Sequence, residues 1–509
     1  MDYPFWNAPI GYGLLMAGIA VIHVFVSHFA IGGGLYLVIS EHRARKAGDT
    51  ARLGYLERLS KFFILLTLVF GAVSGVGIWF IIGLLNPAAT EKLIHTFVWV
   101  WAIEWCFFVI EIAAAMIYYY GWKRLSAREH LIVGWVYFGA AWMSLFVING
   151  IVTFMLTPGE WLTTGELADG FFNPTFWPSL VIRTGICIML AGLFTSLVAV
   201  REKAKDSRPA LLRYNAVWTL VGALIVAPSF SWYFNSLPAE MLETVRLSMP
   251  SVVNNWDASY WYAGVIAALA AIFGLALPRL QSAPVAALAL LVGLGWFARF
   301  EMVREEIRKP FVLPGVMYAN GIKLADAERY REHGLLPSIA YRSGNDARDL
   351  AFHACRSCHT LDGYRPVKPA LDGAGPEFIA GTIRGAHTMV GNMPPFVGTS
   401  DEADSIAHFL WNKLDQRPLP EIYGLQGVEL GAKVFEVRCG NCHVFGGHND
   451  NYESITGLAP DEYDALLDEL GELVDEMPPL TGDDVERAAL IEFLQSLPED
   501  PSEYTGGSL

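Results

Sequence analysis

The sequence predicts an all-α protein: a polytopic helical membrane bundle of about eight spans, followed by two small α-helical domains. Three observations predict it. Of 509 residues, 53% are hydrophobic and only 17% charged, against about 25% charged in an average soluble domain. The apolar excess falls almost wholly before residue 302. After it one pattern occurs twice: Cys355-Arg356-Ser357-Cys358-His359 with Met393-Pro394-Pro395, then Cys439-Gly440-Asn441-Cys442-His443 with Met477-Pro478-Pro479.

Apolar runs of the roughly 20 residues needed to cross a bilayer lie at approximately 11–40, 60–85, 95–120, 130–155, 177–200, 213–234, 257–278 and 283–302. The loops between them alternate in basic content. Loop 41–61 holds Arg43, Arg45, Lys46, Arg52, Arg58 and Lys61. Loop 121–130 holds Lys123, Arg124 and Arg128, and loop 201–213 holds Arg201, Lys203, Lys205, Arg208 and Arg213. The opposite loops have Lys92 alone, no Lys or Arg in 156–176, and Arg246 alone. The positive-inside rule puts the basic loops in the cytoplasm and the N-terminus outside. The start, Met1-Asp2-Tyr3-Pro4, has no basic n-region, so the first segment is expected to stay as a membrane helix. Eight spans return the chain outside after residue 302. The expected location is therefore the bacterial cytoplasmic membrane, multi-pass, with the tail on the periplasmic side.

A C-x-x-C-H run is the signature of covalent c-type haem attachment. The two thiols add to the vinyl groups, and the His is the proximal iron ligand. Met393 lies 34 residues after His359, and Met477 lies 34 residues after His443. A Met/His axial pair raises haem potential in electron-transfer cytochromes. A zinc knuckle would need further thiol or imidazole ligands, and a redox dithiol would need neither the His nor the repeated Met-Pro-Pro. Two covalent haem c groups are therefore expected, held by Cys355, Cys358, His359 and Met393, and by Cys439, Cys442, His443 and Met477. Such haems are attached outside the cytoplasm, the side that the loop charges assign to the tail.

Cys355 to Cys439 and Met393 to Met477 are both 84 residues apart. Helical patterns lead into each motif (347–358, 432–442) and follow each Met (401–414, 483–497), so the tail resembles two class I cytochrome c domains. The expected organisation is 1–302 membrane bundle, 303–340 linker, 341–418 first cytochrome c domain and 419–509 second. Asp461, Glu462, Asp464, Asp468, Glu469, Glu472, Asp475 and Glu476 crowd the second unit. They read either as a solvated face or as steering for a basic partner. Cys106 and Cys187, inside apolar segments, read as buried thiols.

Ionisable residues in a bilayer are costly and mark sites. The first span carries His23 and His28, and the third Glu104 and Glu111. With both helices entering from outside, His23 and Glu104 lie at similar depth, and His28 and Glu111 nearer the midplane. The glutamates, seven apart, share one face, whereas the histidines, five apart, are splayed by about 140° and suit two different sites. Either imidazole reads as a haem ligand or as a hydrogen-bonded interhelical residue. Each carboxyl reads as a proton-relay group or as a protonated partner across helices. Arg183 suits a haem propionate or a buried Glu. His95 and His130, at span ends, are explained by interfacial solvation.

Residues 11–200 resemble subunit I of cytochrome bd quinol oxidases. The resemblance rests on Ile22-His23-Val24-Phe25-Val26, Ala102-Ile103-Glu104 with Glu111, Gly150, and Val181-Ile182-Arg183-Thr184. Glu305-Glu306-Ile307-Arg308-Lys309-Pro310-Phe311 is similar to the family's Glu-x-Gly-Arg-Gln-Pro-Trp segment. The resemblance implies that His23 is the first-helix haem ligand and that Glu104 and Glu111 serve haem ligation and proton delivery. It also implies that Glu305 ligates a haem with Arg308 at a propionate. Two departures stand out. The family's fifth-helix His is Arg183 here, and its long quinol-binding loop is replaced by the short basic loop 201–213. The Glu104–Glu111 spacing is also one residue shorter than the family's.

The cofactors expected are two haem c and one or more membrane haems of b or d type, with a quinone as a further candidate. Two functions follow. In the first, electrons pass between the c haems and membrane haem near His23, His28, Glu104 and Glu111, where oxygen is reduced. In the second, the chain is a membrane anchor and conduit between a quinol pool, or a partner dehydrogenase, and periplasmic cytochromes. Either needs redox partners, namely a soluble cytochrome c and other membrane or periplasmic subunits. Lipid surrounds the bundle, and nothing in the sequence suits nucleic acid.

Overall fold

The structure, a computed structural model, describes residues 8–202, 207–248, 250–473 and 477–503. Met1 to Pro4, Lys203 and Lys205 of the basic loop, and Asp475 and Glu476 of the acidic stretch lie outside the described residues. Among the described residues, eight helices are long and apolar enough to cross a membrane. In chain order, spans 1 to 4 are Tyr12–Ala47, Thr50–Leu85, Val98–Gly121 and Ala127–Phe154. Spans 5 to 8 are Phe176–Ala199, Arg208–Asn235, Val252–Ala276 and Ala283–Ile307. Each overlaps one expected apolar run. Several reach further because polar helix ends leave the hydrocarbon while keeping their backbone bonds. Span 1 continues through Arg45 and Lys46 until Gly48, at φ 65°, closes it with a left-handed cap. Span 4 starts from a capping box in which Ser126 and Glu129 satisfy each other's backbone N–H.

Span 5 is the post of the bundle, with buried residues on all sides. Small residues let its neighbours close on it, as membrane helices require. A Cβ on Gly32 of span 1 would sit 1.8 Å from the Cys187 carbonyl oxygen, and one on Gly222 of span 6 would sit 2.3 Å from the Met189 nitrogen. Tyr36 donates to Asn215 Oδ1 at 2.7 Å, tying span 1 to span 6 inside the core. The outer faces of spans 2, 3 and 7 carry exposed large apolar groups, among them Val76, Phe80, Trp99 and Trp261, a surface suited to lipid. Cys187 is buried, but Cys106 is exposed, contrary to expectation. It lies two residues, about 200° around the helix, from Glu104, and so faces away from the neighbours of that carboxylate.

The tail forms two helical units. The first is built on Asp346–Cys355, Pro376–Arg384 and Ser400–Trp411, the second on Gly427–Arg438, Pro460–Leu473 and Asp484–Ser496. The helices before each motif and after each Met are those expected from the sequence. The middle helices, 376–384 and 460–473, were not anticipated. Residues 303–340, expected as a linker, differ. Span 8 runs to Ile307, and Phe311–Leu313 pairs antiparallel with Met317–Tyr318. Ile322, Ala327, Leu335 and Ile339 then bury against Leu350, Val397 and Ile406 of the first unit. Glu402 accepts the Leu335 and Leu336 N–H groups, each at 2.8 Å. These apolar residues follow no helical or strand period, so their burial has no signature in the sequence.

Candidate functional site

Spans 3 and 4 meet along a seam of polar side chains at heptad spacing. Glu104, Glu111 and Tyr118 recur every seven residues on span 3, and His130, Tyr137 and Ser144 do so on span 4. Running antiparallel, they form rungs. Ser144 donates to Glu104 at 3.0 Å, Tyr137 donates to Glu111 at 3.2 Å, and His130 Nε2 meets the Tyr118 carbonyl at 2.8 Å. Successive rungs are about 10.5 Å apart along the helix. The two glutamates therefore share a face as expected, each with one hydroxyl partner.

His130 corrects the interfacial assignment: it is fully buried. Its Nδ1 donates to the Glu41 carboxylate at 2.8 Å, and Glu41 also accepts from Tyr118 at 2.7 Å and Arg45 at 2.6 Å. A position at a helix end looks exposed in sequence, but here Trp122 and Tyr118 pack tilted against the imidazole and exclude water. His95, by contrast, is largely exposed. Removing one partner of a buried charge cluster costs about 3–5 kcal/mol. His130→Ala is therefore expected to lower the thermal midpoint of the detergent-solubilised bundle sharply, while Glu41→Gln/His130→Ala recovers part of the loss; melting curves of both variants check this.

The two first-span histidines face different neighbours, as their splay predicts. His23 Nδ1 pairs with Ser74 Oγ of span 2 at 3.1 Å. Gly75 makes room beside the ring, since a Cβ there would come within 3.2 Å of His23 Cε1. With Nδ1 engaged, Nε2 is the nitrogen that a haem iron would use, and the donor chemistry at His23 fits one. His28 is 3% exposed, and both its nitrogens are committed. Nδ1 donates to the Val24 carbonyl at 2.8 Å, and Nε2 accepts from Arg183 at 3.4 Å. In this arrangement His28 has no lone pair for a metal, so it does not fit the ligand role.

Arg183 has the buried Glu partner that its chemistry suits. It pairs with Glu301 at 2.8 Å, and Glu301 also accepts from Arg304 at 3.0 Å. Phe297 packs edge-on against His28. A His28–Arg183–Glu301–Arg304 chain thus fills the space between spans 1, 5 and 8. Glu301 and Arg304 were not singled out from sequence; the signal available was a run of mixed charges, Arg299, Glu301, Arg304, Glu305 and Glu306, closing an otherwise apolar span. Glu305 is half-exposed, and Arg308 Nη2 donates to both of its carboxylate oxygens at 2.6 Å. Among the described residues, no hydrogen bond or ion pair joins His23 to Glu104 or Glu305.

In the tail each attachment motif closes the same turn. His359 N–H donates to the Cys355 carbonyl and His443 N–H to the Cys439 carbonyl. Each imidazole then makes the same second bond. His359 Nδ1 donates to the Arg365 carbonyl at 3.2 Å, and His443 Nδ1 to the Asn449 carbonyl at 2.8 Å. Both carbonyls lie six residues past the His, on left-handed residues: φ is 49° at Arg365 and 46° at Asn449. Non-glycine residues adopt that region uncommonly, Asn more readily than Arg. The arrangement fixes the ring and frees Nε2 for iron, as an outer-shell partner does. Sequence reasoning missed this pair because the residue types differ while the backbone does not. Asn449→Val is expected to cost about 1–3 kcal/mol, since a β-branched residue resists this conformation. Asn449→Gly should be tolerated, and thermal unfolding of the two variants checks the difference.

Burial pushes the Cys355 and Cys439 thiols up to about 12 and raises Cys442 above its ordinary value. The low-pKa thiolate of a redox dithiol would have the opposite shift. Met393 lines a cavity of about 510 Å³ with Phe311, Phe396, Arg331, Arg384 and His387. That volume lies within the range of small-molecule and cofactor sites, and the cations suit the two acid groups of a porphyrin. Beside the second motif, Arg438 is buried with Nε and Nη1 lacking a protein partner, a donor pair that would suit another such acid group. The residues of both units fit a haem.

Residues 14–266 match the family model described as cytochrome bd terminal oxidase subunit I. Among solved structures, the bd oxidase from Geobacillus thermodenitrificans is similar in fold, with TM-score 0.53 and 15% identity, covering 60% of this chain and 88% of that chain. No curated protein matches. Subunits of this family hold membrane haems of b or d type and work with other membrane redox subunits. The membrane bundle of this chain is therefore cytochrome bd terminal oxidase subunit I-like, a likeness that implies a multi-pass membrane protein of respiratory electron transfer.

Proposed function

We propose that the chain is a bd-like respiratory electron-transfer protein in which two covalent haem c groups on the tail exchange electrons with haem held at His23 in the bundle. The observation that carries this is the duplicated ligand geometry. Two C-x-x-C-H turns place each imidazole on a carbonyl six residues on, with Nε2 free. Cys355, Cys358, His359 and Met393 would hold one haem c, and Cys439, Cys442, His443 and Met477 the other. Such groups supply a one-electron carrier when bound. The tail then takes the place of the family's quinol-side entry, for Arg183 stands at its His and is tied to Glu301.

Around the membrane site the chain's own residues hold and move protons. Tyr137 and Ser144 keep the Glu111 and Glu104 carboxyls on one seam, and each carboxyl can take a proton at one oxygen and pass it outward. His23 is the iron ligand in this account. His28 serves Arg183 instead, and at the outer end of span 8 Glu305 would ligate a haem, with Arg308 at a propionate. The acidic helix 460–473 gives a soluble basic cytochrome a surface to approach. Lipid and further redox subunits cover the bundle.

Carbon monoxide difference spectroscopy of the reduced protein tests the oxygen-reducing form. Perturbation of a non-c haem is the expected result. Complete indifference would leave the quinol- or dehydrogenase-to-cytochrome conduit as the function, with every iron six-coordinate. Met393→Ala and Met477→Ala should each lower the potential of one c haem, read by spectroelectrochemical titration; an unmoved titration would assign other ligands.

A further inference from the structure

We infer that the two attachment sites act in series, the second unit as the outer terminal and the first as the relay onto the membrane. This rests on the haem c reading proposed above. It goes beyond it by giving the two sites an order.

The first attachment loop is seated on the bundle. Arg365, whose carbonyl holds His359, pairs with Glu306 at the end of span 8. The Arg356 guanidinium, inside the motif, lies 5.5 Å from the Tyr12 ring at the start of span 1. Tyr364 packs so closely on span 1 that a Cβ on Gly13 would meet its ring at 2.8 Å. His23 lies on the same helix, eleven residues below Tyr12, or about 16 Å along the axis. The loop that holds His359 therefore rests directly over the span that holds His23.

The second attachment loop is seated on the first unit. Val390, three residues before Met393, donates its N–H to the Asn441 carbonyl at 2.8 Å, inside the second C-x-x-C-H motif. Thr388 Oγ1 lies 3.9 Å from Cys442 Sγ, and the Thr388 carbonyl meets His448 Nε2 at 2.7 Å. The strand of chain that delivers Met393 to one site thus touches the thiol that anchors the other. Two contacts, each beside a ligand, link the second unit to the first and the first to the bundle.

Electrons then move one at a time. A soluble one-electron protein donor is oxidised by one equivalent as the second site is reduced. The second site is reoxidised as the first is reduced, and the first as the membrane site is reduced. No bond forms or breaks, and the same order holds for the reverse flow.

The test uses the full-length holoprotein in detergent and a stopped-flow pulse of reduced, lysine-rich soluble cytochrome c as donor. Replacing Met by His lowers a haem potential without removing its attachment. Met393→His is expected to leave reduction of the second site at the wild-type rate and to abolish fast reduction of the membrane haem. Met477→His is expected to abolish fast reduction of both the first site and the membrane haem, and the Cys439→Ala/Cys442→Ala variant should do the same. Wild-type reduction of the first site in either second-unit variant would overturn the order. A haem assay on the same samples separates the two levels. Two haem c with the wrong kinetics reject the series alone, while absence of haem c rejects the functional reading with it.

Discussion

His23→Ala is expected to strip the bundle of the haem that His23 ligates while leaving both c-type absorption bands in place. The imidazole is positioned by Ser74 through Nδ1 and given room by Gly75, so its remaining nitrogen has a defined direction. Alanine removes an iron ligand, and neither neighbour can replace it, because Ser74 is a weak hydroxyl donor and Gly75 has no side chain. In the proposed account the tail haems are attached covalently, at motifs more than 300 residues away in sequence, so they should be retained. Haem quantified by type in the purified variant checks this. Unchanged non-c haem content would remove His23 from the ligand set. The contrasting variant is His28→Ala, which should keep the membrane haem but loosen Arg183.

Glu301→Ala is expected to be among the most damaging single changes in the bundle. Glu301 is the only carboxylate described between Arg183 and Arg304, at 2.8 and 3.0 Å, with both guanidinium groups largely shielded. Its removal leaves two like charges facing each other in low dielectric, and breaking such a buried pair costs about 3–5 kcal/mol. Glu301→Gln keeps an acceptor oxygen but no charge, and should cost less. Arg183→Met/Glu301→Leu removes one full pair and should recover part of the loss, as apolar replacement of a buried pair often does. Thermal unfolding followed by circular dichroism would rank the three. If Glu301→Ala melts like the parent, the chain is not what joins spans 1, 5 and 8.

Much of this was legible in the sequence because it depends on local patterns. Eight apolar runs give eight helices, since backbone polar groups in lipid must bond within their own helix. The C-x-x-C-H turns and their Met spacing are likewise visible in one dimension. The same is true of Glu104 and Glu111, whose seven-residue spacing puts both on the face that meets span 4. What the sequence hid depends on how distant segments meet. His130 looks interfacial until Trp122 and Glu41 close over it. His28 and His23 look alike until one is found bonded to Arg183. The segment 311–340 has scattered apolar residues that make sense only once Leu350 and Ile406 are beside them. Arg365 and Asn449 share no chemistry, and only their backbone conformation reveals a common task.

The most direct measurement is a pyridine haemochrome assay with iron content on the purified full-length protein. The account predicts two haem c per chain together with at least one non-covalent haem of b or d type, extractable by acid acetone while the haem c stays attached. A protein that holds no covalent haem, or covalent haem alone, would contradict it.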